Sequence, residues 1–73
     1  MAHARNYLAV IERAEDGSYS AYVPDLPGCV TSGDSIEEAR TLIQEAIRLH
    51  VDSLRHHSEP VPEPSAIGNV ITV

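Results

Sequence analysis

The 73-residue sequence has no lysine, a single cysteine and no long hydrophobic run. One thiol, Cys29, forbids an internal disulfide. No Cys-x-x-Cys or paired His/Cys spacing suggests a structural zinc. No apolar stretch approaches the roughly 18 residues of a membrane span. The opening residues, Met1-Ala2-His3-Ala4-Arg5-Asn6, lack the apolar core of a secretion leader. These absences together point to a reduced cytoplasm. All five bases are arginines, set against 11 acids, for a net charge of −6. Such a field repels phosphate backbones and attracts basic proteins, so direct nucleic-acid binding by this domain is disfavoured.

What remains is one small domain spanning 1–73, with 42% apolar residues, enough for a globular chain. At 7.9 kDa the folded surface should be about 4,400 Å², against about 11,500 Å² unfolded. Only about 60% is buried, near the lower limit for independent stability. Small chains offset this with disulfides, metals or partners. With the first two excluded, self-association into a dimer or tetramer is the expected device.

The elements can be read in order. Asn6–Arg13 predicts a strand with Tyr7, Ala9 and Ile11 on one face and Leu8 and Val10 on the other. Both faces are apolar, as in a strand covered on both sides. Asp16-Gly17 supplies the positive-φ positions of a hairpin turn, and Tyr19–Val23 returns. Pro24 and Pro27 cannot donate to a ladder, so Pro24–Gly28 breaks the pairing. Cys29–Ser32 is a short third strand ended by Gly33. Ser35 and Glu38 form a capping box that opens a helix. Its stripe is Ile36, Ala39, Ile43, Ala46, Ile47, His50 and Leu54, flanked by Leu42, Leu49 and Val51. The apolar sector is wide for a surface helix, and the Leu42/Leu49 edge implies a second contact. Ser58–Ser65, with three alternating prolines, is an extended connector. Asn69–Val73 is β-prone and predicts a last strand returned to the sheet. The expected fold is α+β, β-β-β-α-β, a mostly antiparallel sheet with one helix on one face.

No set of residues reads as a catalytic centre. The acids are scattered through turns and the polar helix face rather than converging as a metal-dependent nuclease requires. His56 and His57 diverge on a helix, and His50 to His57 lacks the i, i+4 spacing of a helical zinc pair. His50 lies within the apolar stripe, as a core or interface histidine does. Cys29 has no neighbouring base and reads as a small buried strand residue. Tyr7, Tyr19 and Tyr22 lie near the hairpin with no lysine and little arginine around them, which suits packing better than base stacking. No cofactor, metal or catalytic residue is expected.

The run Tyr22-Val23-Pro24-Asp25-Leu26-Pro27-Gly28-Cys29-Val30-Thr31-Ser32-Gly33-Asp34-Ser35-Ile36-Glu37-Glu38-Ala39 resembles the signature of HicB-family antitoxins. The exit Pro62-Glu63-Pro64-Ser65 is similar to that family's Pro-x-Pro-Ser segment. The resemblance covers essentially the whole chain. It implies a partial ribonuclease-H-like fold without nuclease activity. It also implies neutralisation of a HicA-like toxin, a small basic mRNA interferase. Longer members carry a DNA-binding segment after this domain; the sequence stopping at Val73 implies the solo form. The other reading is a solo oligomeric module that binds another protein or a small ligand.

Residue expectations follow. Pro24–Gly28 is either a rigid crossover or a contact loop with Asp25 and Leu26 at its tip. The first has the stronger physical basis, because Pro and Gly primarily set backbone geometry. In the second, Asp25, Leu26 and Tyr22 contact the toxin. Leu42, Leu49 and Tyr7 are the expected self-association residues.

Overall fold

The structure, a computed structural model, describes residues 5–73. The leader reading rests partly on residues 1–4, which lie outside the described residues. The elements are β1 (Val10–Arg13), β2 (Tyr19–Tyr22), β3 (Val30–Gly33) and α1 (Ile36–His56). The three strands form one antiparallel sheet in the order β1-β2-β3.

Register fixes two unlike faces. Ile11, Ala21 and Thr31 are cross-strand neighbours, as are Val10, Tyr22 and Val30. The first row faces α1, where Ala21, Val23, Leu26, Cys29, Ala39, Ile43 and Val51 make the core. The second row faces away, with Tyr22 38% and Val30 65% exposed. The outer face is therefore open at β2 and β3, whereas on the first strand Leu8 and Val10 are half-buried and Gly68 lies against the Leu8 side chain.

The first strand is shorter than its sequence pattern predicts, beginning at Val10 rather than Asn6. Its partner explains this. The Val23 N–H turns away to bond Cys29 O (3.2 Å), and Pro24 has no N–H to offer. Among the described residues, 5–9 therefore have no ladder partner. The hairpin loop also differs, since only Gly17 is left-handed (φ 89°). Gly17 N–H donates to Ala14 O (3.0 Å), and the Asp16 carboxylate accepts from the Ser18 N–H (2.9 Å) and hydroxyl (2.6 Å).

The cap of α1 forms with one shift. Ser35 Oγ accepts from Glu38 N–H at 3.0 Å, but Glu38 Oε1 accepts from the Asp34 N–H (2.8 Å), one residue before the cap. Gly33 is needed for contact rather than for φ. A Cβ there would lie 2.8 Å from Ala39 N, so the helix start sits directly on its backbone. The buried line on α1 is Ala39, Ile43 and Val51, with Ile36 and Leu49 exposed. The helix has thus rolled toward Val51, which the sequence pattern places on the flank. At its end Ser58 takes the left-handed position (φ 56°) that glycine usually fills. Ser58 N–H donates to Arg55 O and Glu59 N–H to Leu54 O.

The fifth element of the expected order does not form. Residues 59–73 belong to no strand, and among the described residues no backbone–backbone hydrogen bond involves residues 60–73. The β-prone Asn69–Val73 stands outside the sheet. The observed order is β-β-β-α.

Candidate partner-binding surface

Pro24–Gly28 closes on itself. Leu26 N–H donates to Val23 O (3.1 Å) and Cys29 N–H to Leu26 O (3.0 Å). Gly28 takes the left-handed turn position (φ 84°). Leu26 is 0% exposed and plugs the core, so it offers nothing to a partner. Burial pushes the Cys29 thiol above its ordinary value, which removes thiolate character.

Asp25 is turned outward and already engaged. Its Oδ2 accepts from the Ala66 N–H (2.9 Å) and the Ser65 N–H (2.9 Å), and its Oδ1 from the Ser65 hydroxyl (2.8 Å). Those bonds, Ala66 first, hold its carboxyl below its ordinary value. The two separated motifs of the sequence thus meet in one clasp that ties the proline-rich exit to the sheet loop. Arg5 and Tyr7 complete the attachment. Arg5 pairs with Glu63 (3.2 Å) and donates to Pro62 O (3.3 Å), and the Tyr7 hydroxyl donates to Pro62 O. Tyr7 is therefore occupied within the chain.

Three patches remain open. The first is the outer sheet row of Val10, Tyr22 and Val30. The second is the helix shoulder of Leu42 (39% exposed) and Leu49 (61% exposed). The third is an open groove between residues 5–9 and α1, in two adjoining hollows of about 480 and 420 Å³. Arg5, Tyr7, Gln44 and Ile47 line both; Arg48 and Arg55 line one and Arg40 the other. Sequence reasoning sees only arginines interleaved with Glu37, Glu38, Glu45 and Asp52 along α1. It missed the gathering of four of the five arginines on one groove, since Arg5 arrives from the far end of the chain.

Among the described residues no three His, Cys, Asp or Glu side chains gather into a metal-holding group. His57 Nδ1 is occupied by its own helix, donating to Ser53 O at 2.8 Å. No helix among the described residues is long and apolar enough to cross a membrane.

Comparison with known proteins fits this arrangement. The family model described as HicB-like antitoxin of bacterial toxin-antitoxin system matches residues 7–73. The chain belongs to the HicB-like antitoxin family. A UPF0150 protein of Thermoplasma acidophilum is 45% identical over 60 residues, covering 82% of this chain and 87% of that one. Antitoxin HicB 1 of Photorhabdus laumondii is 31% identical over 62 residues, 85% of this chain but 40% of the relative. The crystal structure of the N-terminal domain of Burkholderia pseudomallei antitoxin HicB superposes with a TM-score of 0.72. It is 29% identical, covering 81% of this chain and 69% of that one. The α+β fold is that of the HicB N-terminal domain.

Proposed function

We propose that this HicB-like chain is a cytoplasmic, non-enzymatic antitoxin that neutralises a small basic toxin of the HicA-like mRNA-interferase class by covering its RNA-binding surface. Membership of the antitoxin family is the observation that carries this reading. The net charge of −6 supplies the complementary sign for a basic RNA-binding partner. Of the residues proposed for toxin contact, Tyr22 is the one that presents free surface, in an apolar row with Val10 and Val30. Asp25 acts through the clasp, and Leu26 through the core. The β-β-β-α order suits a reduced ribonuclease-H-like sheet retained for binding. Self-association through a separate face, with Leu42 and Leu49 as its candidate residues, belongs to the same proposal.

Co-expression with the basic protein encoded beside it tests the proposal. The two should co-purify and co-elute, and Tyr22→Ala should weaken the complex by about 1 kcal/mol or more with melting unchanged. Separate elution of well-folded proteins would refute it.

One observation favours a second reading, a module that binds another protein or small ligand. The groove combines apolar Tyr7 and Ile47 with Arg40, Arg48 and Arg55, which suits an anionic amphipathic ligand.

A further inference from the structure

This acidic chain gathers its positive charge in one place. Arg40, Gln44, Arg48, Val51 and Arg55 recur every three or four residues, so they share one face of α1. That face looks into the groove opposite residues 5–9, whose hollows measure about 480 and 420 Å³. Of the four acids on α1, only Asp52 lines the groove. Among the described residues the single ion pair is that of Arg5 with Glu63. Arg40, Arg48 and Arg55 are exposed and have no carboxylate in salt-bridge reach there, although the chain carries 11 acids. Guanidinium groups lining one hollow repel one another, and an anion seated among them relieves the repulsion.

The opposite wall is already fixed. Arg5 donates to Val61 O (3.4 Å) and Pro62 O (3.3 Å), and the Tyr7 hydroxyl donates to Pro62 O. Tyr7 and Ile47 line both hollows. A ring held in place by its own chain loses little freedom when a ligand packs on it. The sequence places no arginine beside the tyrosines; the fold does so for Tyr7.

Charge and size bound the ligand. Asp52 on the wall and Glu63 on Arg5 offset two of the four arginines, which leaves two positive charges. A phosphate monoester carries about −1.5 to −2 at neutral pH and takes bidentate bonds from arginine. A carboxylate supplies only one charge. Both hollows fall in the size range of small-ligand sites, about 300–1,000 Å³. A nucleic-acid strand would leave the groove and meet the rest of a surface whose net charge is −6. A single nucleotide stays within the local field.

We propose that the groove between residues 5–9 and α1 binds a free nucleoside monophosphate, with Arg48 and Arg55 on the phosphate and the base packed on Tyr7 and Ile47. Gln44, which lines both hollows, supplies an amide to the edge of the base. The proposal goes beyond the antitoxin reading and rests on the second reading above, to which it gives a ligand class.

Calorimetric titration of the full chain with AMP at physiological salt provides the test. AMP should bind with a dissociation constant below about 1 mM. Arg48→Gln and Arg55→Gln should each weaken it about tenfold or more. Arg13→Gln, which removes the same charge outside the groove, should stay within about twofold. Circular dichroism of all three should match the wild type, because these arginines are exposed. Proton NMR should show the Tyr7 ring signals shifting as AMP is added. Equal weakening by Arg13→Gln would overturn the site and leave bulk charge alone. Inorganic phosphate binding as tightly as AMP, with the Tyr7 ring unmoved, would overturn the place given to the base. A single-stranded oligonucleotide binding more tightly through the same arginines would overturn the choice of a free nucleotide. No AMP binding, with decanoate bound and lost in Arg48→Gln, would overturn the ligand class and leave the second reading standing. Binding of neither would overturn both.

Discussion

At the scale of single residues, the two motifs matter chiefly because they bind each other. Asp25 is a proton-sensitive latch. Its folded pKa lies below the unfolded value, so its contribution is full above the unfolded pKa near 3.8 and is lost as pH falls through the lower folded value. Asp16, lowered by Ser18, behaves in the same sense. Asp25→Asn should therefore flatten the loss of stability below about pH 4, while at pH 7 it should be less stable than wild type. Urea unfolding at several pH values reads both effects. Gly33→Ala should cost about 1–3 kcal/mol, because the added Cβ meets helix backbone that has no rotamer to yield. These roles were only partly legible. The prolines and Gly28 announce a rigid loop from their own chemistry. Nothing local, however, marks Leu26 as the core plug or Ser65 as the partner of Asp25 forty residues away.

At the scale of elements, the helix was the most legible part. Its cap, its period and its end rest on contacts within a few residues. The exact buried line was less so, because a stripe this wide fits several rotations and the sheet selects one. The outcome can be checked by paired substitutions. Ile43→Ala should cost about 2–5 kcal/mol, since Ile43 is 2% exposed. Leu49→Glu should change monomer stability by less than about 0.5 kcal/mol. Thermal melts at low concentration compare the two directly. The strands were harder to place. Asn6–Ala9 and Asn69–Val73 have strand composition, and composition does not say whether a ladder partner lies within reach. Pro24 denies one to the first, and the second stays exposed beyond Gly68, which lies against Leu8.

At the scale of the whole molecule, charge and shape act on partners. The acidic balance was plain from composition, but its distribution was not. Four arginines gather beside α1, leaving the remaining surface more acidic than the average implies. Association with a basic toxin should therefore be steered electrostatically. Its on-rate should fall steeply as salt shortens the Debye length below about 8 Å, with dissociation changing less. Stopped-flow mixing over a salt series measures both, and a salt-independent on-rate would reduce the charge to a solubility feature.

The central claim is neutralisation, and the most direct measurement is a titration of this protein into an RNA-cleavage assay of the basic protein encoded beside it. Cleavage should fall linearly to zero and end at a fixed stoichiometric ratio. Undiminished cleavage at a large excess of folded protein would contradict the account.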